Sequence, residues 1–245
     1  MKFLRYFKNR KIYRLGIAIF GLLFVVIAIV TFYGQNSGNF VINLDKDAYL
    51  RGIVLSKDRE FKTQSSRVVA TAVNDVTNIT YDWFEDKIPD IVENDGDYFD
   101  SDYKYLAFTF YLKNSGEETV NVNLKLDVAE SLKGTDEAIR ILLIEDGTQK
   151  FLYQKKDNVD VTYLGYLSEA INFNTDTNVC NKTVKQFRPG DVKKYTLIMW
   201  LEGEDPDCTI DILGGKLKMQ MIFSIDNFDN KKNKKVKEEY YEKIL

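Results

Sequence analysis

Apolar and polar residues alternate along much of the chain beyond residue 39, as they do in a β-strand with one buried and one solvated face. Residues 120–128 carry valine or leucine at every second position, with Asn, Lys and Asp between them. Residues 106–112 alternate in the same way. Because Asn114-Ser115-Gly116 supplies turn residues between the two stretches, the pattern predicts a β-hairpin.

A second hairpin is predicted further along the chain. Residues 138–145 and 149–155 are separated by the dipeptide Asp146-Gly147. An Asp-Gly dipeptide suits the positive φ angles of a tight hairpin turn, so the two stretches are expected to pair.

Residues 195–201 are apolar on both alternating faces, as in a central strand that is covered on two sides. Residues 217–225 alternate again and predict a final antiparallel strand, and residues 40–44 and 52–56 predict two early strands. Strands at this density with mostly polar connections predict a mainly β fold, an antiparallel two-sheet β-sandwich over residues 39–228.

Three stretches do not fit the alternation. Residues 68–76 place valine and alanine at helical spacing, but their β-branched side chains favour neither helix nor strand clearly. Residues 163–172 have the apolar spacing of a short helix. Residues 229–245 form a charged tail that reads as a solvated or frayed helix, with docking to a partner as the alternative.

The N-terminal pattern is of another kind. Residues 15–33 contain no charge over nineteen positions, which as a helix would cover roughly 28 Å, close to the thickness of a bilayer core. Residues 1–14 carry six cations and no acidic residue, so the positive-inside rule places them in the cytoplasm. The sequence predicts an uncleaved transmembrane anchor, a linker at residues 34–38 and an extracytoplasmic domain. A cleaved signal peptide is the alternative, although the exit lacks an A-x-A-like cleavage pair.

Charge and composition exclude several functions. Six of the 34 cations precede the predicted span, which leaves 28 against 37 acidic residues, a net charge of −9. Such a domain is expected neither to bind nucleic acid nor to adsorb to anionic lipid. The chain has no histidine, which excludes Ser-His-Asp and Cys-His nucleophiles, HExxH metalloproteases and histidine general bases.

Cys180 and Cys208 both follow the predicted span, and an even cysteine count outside the cytoplasm predicts a disulfide. Closing a loop of about 29 residues would stabilise the fold by roughly 3–4 kcal/mol in the chain-entropy model. Two free buried thiols are the alternative. A zinc site is disfavoured, because two cysteines without histidine do not complete its usual ligand shell.

Residues 85–102 hold eight acidic residues against Lys87, a local charge of −7. Such density is costly unless solvent or a cation screens it. Extracellular Ca²⁺ suits carboxylate oxygens, although the spacing does not follow the EF-hand pattern. An ordinary solvated loop is the first interpretation, and a weak calcium site is the sharper one. Its predicted ligands are Asp95, Asp97, Asp100 and Asp102.

Aromatic side chains accompany these acids and offer a surface for a glycan or a protein. They are Tyr81, Trp83, Tyr98 and Tyr103. Packing of these rings across strands is the simpler interpretation. A carboxylate pair for sugar hydrolysis is a further alternative, although nothing in the spacing puts two acids on opposite sides of a substrate.

Several short motifs resemble a group of envelope-associated proteins from Gram-positive bacteria. They are residues 38–40 (GNF), 110–116 (FYLKNSG), 187–191 (FRPGD) and 200–208 (WLEGEDPDC), with Asp211, Gly214-Gly215 and the strand at residues 216–225. More distantly, the arrangement is similar to the TasA/camelysin family of exported jelly-roll proteins. The resemblance implies a jelly-roll-like sandwich and a role in surface assembly or biofilm matrix. The metalloprotease activity described for camelysin-type proteins is not implied, because histidine is absent.

The sequence therefore predicts a structural or interaction module of the cell envelope, not an enzyme, held in the cell membrane with its main domain outside. The expected partners are the membrane, like subunits or other envelope proteins, and in the alternative a glycan. An exposed strand edge would favour assembly by strand addition. A deep cleft with two converging carboxylates of raised pKa would instead indicate a hydrolase.

Overall fold

Two β-sheets form the part of the chain that the computed structural model describes, residues 40–156 and 169–225. The prediction of a mainly β, two-sheet sandwich is confirmed at this level. In chain order the elements are β1 (Phe40–Leu44), α1 (Lys46–Leu50), β2 (Ile53–Ser56), β3 (Arg67–Val69), β4 (Asn78–Ile79), α2 (Ile88–Glu93), β5 (Gly96–Tyr98), β6 (Leu106–Asn114), β7 (Val120–Leu132), β8 (Ile139–Glu145), β9 (Gln149–Gln154), β10 (Ile171–Asn172), β11 (Asn178–Phe187), β12 (Val192–Glu202) and β13 (Lys216–Ile225). Short 3-10 turns occur at Tyr81–Trp83, Glu85–Lys87 and Ile210–Ile212.

Sheet A has five strands in the order β11-β7-β13-β1-β3, and sheet B has the order β10-β9-β8-β12-β6-β2 with β4 beside β12 and β5 beside β6. Both sheets are mixed rather than purely antiparallel. In sheet A, β1 runs parallel to β13, with Phe40 opposite Met219. This corrects the antiparallel prediction. The two strands lie at opposite ends of the described chain, so no tight hairpin forces them to be antiparallel.

The main core lies between the sheets and is built from the alternating positions of both. These include Phe40, Ile42, Val122, Leu124, Leu126, Met219, Met221 and Phe223 of sheet A, and Leu106, Phe108, Phe110, Leu112, Ile141, Leu143, Tyr195 and Leu197 of sheet B. Burying such side chains from water is the main favourable contribution to folding. The alternating apolar positions of the sequence therefore form the inner faces of the two sheets.

The pairing predicted between residues 106–112 and 120–128 is wrong. β6 lies in sheet B between β12 and β2, whereas β7 lies in sheet A between β11 and β13. Alternation and turn residues were read correctly as strand, turn and strand. They do not say whether the chain returns to the same sheet or crosses to the other one.

The turn after β6 is built for that crossing. Asn114 Nδ2 donates to the carbonyl oxygens of Glu118 and Phe187 at 2.8 and 2.9 Å. Gly116 passes so close to Arg51 that an added Cβ would lie 2.0 Å from the carbonyl oxygen of Arg51. The crossing therefore requires glycine at this position.

The second predicted hairpin is confirmed. β8 and β9 are antiparallel, with Glu145 opposite Gln149. Three residues connect the paired ends, and Asp146 and Gly147 among them have φ angles of +50° and +76°, the left-handed conformation of the central residues in a type I′ turn. The central position predicted for residues 195–201 is confirmed as well, since β12 pairs with both β6 and β8.

The remaining stretches divide between described and undescribed residues. Residues 68–76 contain the end of β3 followed by a loop, so the helical spacing there does not produce a helix. The predicted span at residues 15–33, most of the stretch at 163–172 and the tail at 229–245 lie outside the described residues. The two α-helices within the described ranges have five and six residues, far short of the length that crosses a bilayer.

Candidate functional site

Short helical turns cover the outer face of sheet B, and the chain then continues through β5 to the start of β6. This whole segment, residues 81–105, is called the cover below. Its apolar side chains Phe84, Ile88, Ile91 and Val92 are buried, and they form a second core with side chains of sheet B such as Trp200. The spacing of four, three and one residues places these four side chains on one face of a helical segment. The segment predicted as an acidic loop is thus an amphipathic lid on the sheet.

The acids of the cover lie on its opposite side. Those that are exposed are Asp82, Glu85, Asp86, Asp90, Glu93, Asp95 and Asp102. Water screens these charges, and basic residues of the loop after β2 assist: Arg59 lies 3.2 Å from Glu93 and Lys57 lies 3.6 Å from Asp97. Solvation and these ion pairs account for the local charge without a metal ion.

Asp95 and Asp97 bind protein donors. Asp95 accepts hydrogen bonds from the Tyr111 hydroxyl at 2.7 Å and from the Arg59 backbone N–H at 3.1 Å. Asp97 accepts from the backbone N–H and the hydroxyl of Thr71 at 2.6 and 3.0 Å. These bonds fasten the end of the cover to the loops that follow β2 and β3.

Asp100 forms the best buried ion pair of the cover. Lys87 Nζ donates to its carboxylate at 2.7 Å, and the Tyr105 hydroxyl donates to it at 3.1 Å. Burial by itself would raise the pKa of Asp100, but the bonds from Lys87, from the backbone N–H groups of Asp102 and Tyr103 and from Tyr105 outweigh it and lower the pKa.

The four predicted calcium ligands are therefore not brought together. Asp95 and Asp97 hold separate loops, while Asp100 and Asp102 both face Lys87, with Asp102 at 3.4 Å. Among the described residues no group of three or more acidic or cysteine side chains is placed to hold a metal ion. In this structure the four carboxylates act as hydrogen-bond acceptors and ion-pair partners that secure the cover, and the calcium site stays a prediction.

An aromatic pair stands on the surface of the cover. The rings of Trp83 and Tyr103 lie 5.1 Å apart with a tilt of 39°, and Lys87 Nζ lies 5.3 Å from the centre of the Tyr103 ring. Trp83 is 49% exposed. Tyr81, Tyr98 and Tyr103 are all partly buried and pack against the second core. Of the four, the structure leaves Trp83 exposed, with the Tyr103 ring beside it.

A buried ion pair beneath the loop after β12 escaped the sequence reading. Arg140 Nη2 donates to Asp205 at 2.6 Å, and both side chains are almost completely buried. Nearby, Trp200 Nε1 donates to Glu202 at 3.0 Å. Burial raises the pKa of Glu202 more than the Trp200 bond and the charge of Arg140 lower it. The available signal was the continuous apolar run of β12, since an acidic residue that directly follows it, Glu202, is expected to be buried with a partner.

Glu202 and Asp205 have different hydrogen-bond partners, Trp200 and Arg140 respectively. Two carboxylates in different environments are what an acid–base pair requires. Their exposures are 0% and 4%, however, so a substrate has no access to either carboxylate. We assign them a structural role.

The predicted disulfide is not formed, and both cysteines are free thiols. Cys180 is buried on β11 and hydrogen-bonds with Tyr153 of β9. Cys208 lies in the loop after β12, near Asp205 and Glu202. The two thiols thus occupy different surroundings. Burial raises the pKa of each, which makes them poor nucleophiles.

The free sheet edges in the described ranges are short or irregular. β3 and β10 have three and two residues, and Leu55 of β2 pairs with Ser65. β11 is longer, but its pairing with β7 is irregular near both ends, and Lys182 at its centre forms an ion pair with Glu145 of sheet B at 2.5 Å. Short strands, bulges and inward-pointing charges are the features that hinder edge-to-edge pairing.

No protein-family model matches this chain, and neither a curated protein nor a solved structure matches it. The similarity to the TasA/camelysin family therefore rests on the sequence motifs.

One of those motifs has a clear structural role. Phe187 ends β11, and residues 188–191 connect it to β12. The Asp191 N–H donates to the Arg188 carbonyl at 3.0 Å, and the Asp191 carboxylate accepts from the Arg188 N–H at 2.8 Å. Gly190 has a φ angle of +87°. Pro189-Gly190-Asp191 therefore forms a turn before β12, and this motif supports architecture rather than activity.

Proposed function

We propose that the chain is a structural or interaction module of the cell envelope, anchored in the cell membrane by residues 15–33 and carrying a jelly-roll-like sandwich outside. The sequence supports the anchor and its orientation, and the motifs support a TasA/camelysin-like architecture. The irregular sheet edges favour contact through a surface over assembly by strand addition.

The aromatic pair on the cover is the observation that carries the interaction role. Trp83 and Tyr103 form a tilted platform on a segment that is fixed by Asp95, Asp97 and Asp100. A rigid, half-exposed tryptophan is costly to leave in water and is typical of binding surfaces. The buried residues below hold this platform in place.

The compartment is tested by protease accessibility in intact cells of the source. We expect added protease to digest the sandwich domain while an N-terminal tag stays protected, and the tagged fragment to remain in the membrane after carbonate washing. Digestion that requires cell lysis, or a mature chain that begins beyond Tyr33 in mass spectrometry, would contradict the proposal.

A glycan ligand is the second candidate, and the same platform favours it. Sugar rings stack on flat aromatic side chains, while neighbouring carboxylates accept their hydroxyl or amino hydrogens. The exposed acids beside Trp83 are Asp82 and Asp86, with Asp102 next to Tyr103 in the chain. This rim disfavours anionic polymers and favours sugars that carry free amino groups.

Glucosamine oligosaccharides are the appropriate probe. We expect the full chain to bind them in calorimetry, and Trp83→Ala to weaken that binding at least tenfold. Tyr49→Ala is the matched control, since Tyr49 is exposed to 51% against 49% for Trp83 and follows β1 in α1. Equal affinity of wild type and Trp83→Ala would remove the platform from the binding site.

A further inference from the structure

The two outer faces of the sandwich carry charges of opposite sign. On the side of sheet B, the cover holds nine acidic residues against Lys87 and Lys104, a net charge of −7. Seven of these acids are exposed. Sheet A places alternate side chains in the main core, so the others face outward. The outward charges of its strands are Arg67, Lys125, Lys185, Lys216 and Lys218 against Asp127 and Glu130, which is five minus two, or +3.

The outer face of sheet A also has an apolar patch among these cations. Val41 of β1 lies opposite Val69 of β3, and Ile222 of β13 lies opposite Asn43, two positions further along β1. All three apolar side chains are outward positions and are only half-buried. We call Val41, Val69 and Ile222 the aliphatic patch. Arg67 is two residues before Val69, so a cation borders the patch.

The cover has the complementary composition. Trp83 is 49% exposed and Phe99 is 72% exposed, and exposed acids surround both in the chain. Aromatic side chains are enriched at the centre of protein interfaces, and charges at the rim guide a partner of opposite sign. The cover therefore matches the outer face of sheet A twice, in its apolar groups and in the sign of its charge.

The two surfaces lie on opposite sides of the sandwich, because the main core is between sheet A and sheet B. They do not meet within one copy, whereas the cover of one copy can meet sheet A of another. A contact between unlike surfaces leaves one of each unoccupied at the two ends, so it permits growth beyond a dimer. The short and irregular sheet edges do not compete with it.

We infer that the cover of one copy of this chain binds the outer face of sheet A of a second copy, with Trp83 against the aliphatic patch. This inference deepens the proposed interaction role, on which it rests, and names the partner as a second copy. Arg67 and Lys218 on sheet A then face the exposed acids that follow Trp83 in the chain, Glu85 and Asp86.

Two variants, each with one damaged surface, test this contact. Arg67→Gln/Lys218→Gln removes cations from sheet A, and Glu85→Gln/Asp86→Asn removes acids from the cover. The full chain is purified in density-matched non-ionic detergent at low salt, and its weight-average mass is measured by sedimentation velocity.

Lys46→Gln/Lys62→Gln is the matched control for the sheet A variant. It removes the same charge from two exposed positions that belong to neither surface, one in α1 and one in the loop after β2. We expect the wild type and this control to reach at least twice the mass of a single chain, and each surface variant to stay monomeric.

An equimolar mixture of the two surface variants should form dimers and nothing larger, because one variant keeps its cover and the other keeps its sheet A. Raising the salt from about 50 mM to about 500 mM should dissociate these dimers, since the Debye length falls from about 14 Å to about 4 Å.

A monomeric wild type, surface variants that associate like the wild type, or a mixture without dimers overturns the contact between copies. A monomeric wild type that binds glucosamine oligosaccharides assigns the cover to a glycan instead. Protease accessibility in intact cells decides the compartment separately, so failure of the contact between copies leaves the membrane-anchored module standing.

Discussion

The two sheets of the sandwich differ in their outer faces. Sheet A presents polar side chains to water: Thr183 Oγ1 donates to Asn123 at 2.7 Å, and Lys218 pairs with Glu130 at 2.6 Å. Sheet B buries its outer face under the cover, so that Ile144, Ile198 and Trp200 are as hidden as residues of the main core.

The difference between the outer faces places different requirements on the sequences of the strands in the two sheets. Strands of sheet A must alternate, since one face is wet, and β7 does so throughout its first half. The central strands of sheet B are buried on both faces, and β8 is buried at every position. Alternation is the mark of a one-sided sheet, and its loss predicts that something covers the second side.

Removing the largest apolar contact of the cover is expected to have the greatest effect. Phe84→Ala leaves a cavity against Trp200, whose ring centre lies 4.8 Å from that of Phe84, and should lower the free energy of unfolding by about 4 kcal/mol. Thr183→Ala on the wet face should change it by less than about 0.5 kcal/mol. Urea unfolding of both variants tests this, and similar losses would contradict the one-sided cover.

The second largest loss of stability is expected from breaking the buried ion pair between Arg140 and Asp205. Arg140→Met leaves the Asp205 carboxylate buried without its cation and should cost about 3 kcal/mol of unfolding free energy. The double variant Arg140→Met/Asp205→Leu should recover much of that loss. On sheet A, Lys218→Met removes an exposed pair and should leave the unfolding midpoint nearly unchanged. A double variant no better than the single one would show that the pair does more than neutralise a buried charge.

Acid should release the cover. The pKa of Asp100 is lowered in the folded protein, so its stabilising contribution is complete above the unfolded value of about 3.9 and disappears as the pH falls through the folded pKa. Asp100→Asn should be less stable than wild type near neutral pH and lose less stability below pH about 4. Unfolding free energies measured across that range test the sign, and parallel curves would argue against it.

Titration of Glu202 should change the stability with pH in the direction opposite to that of Asp100, and by a smaller amount. Its pKa is raised by burial, so the stability that it contributes is complete below the unfolded value of about 4.3 and is lost as the pH rises through the folded pKa. Glu202→Gln removes this titration while keeping an acceptor for Trp200. We expect the variant to gain on wild type as the pH rises from about 4, and unfolding curves at several pH values test this.

The strands of the sandwich were readable from the sequence, because local alternation reports which faces of a strand are buried. The pairing partners of those strands were harder to predict from the sequence. The crossing between β6 and β7 depends on Asn114 reaching the Phe187 carbonyl, and the parallel pairing of Phe40 with Met219 joins distant parts of the chain. Each contact joins residues that are far apart in the sequence, so the neighbouring residues do not indicate it.

The candidate site shows the same division. The aromatic residues were identifiable from the sequence, and the rings of Trp83 and Tyr103 do lie beside each other. The acids were read as a group because they are dense, whereas the informative feature was the apolar stripe between them, from Phe84 to Val92. Pro89 within it reads as a helix breaker, yet it stands in the first turn of α2, where proline is favoured.

The parallel pairing of β1 with β13 also determines how the protein responds to mechanical load. Force that pulls on Phe40 from one side and on Ile225 from the other acts along two neighbouring strands in opposite directions. The hydrogen bonds between the two strands are then loaded in shear and must break together, whereas bonds pulled from one end would break one after another. A domain held at its beginning and grasped at its end resists extension through the centre of sheet A.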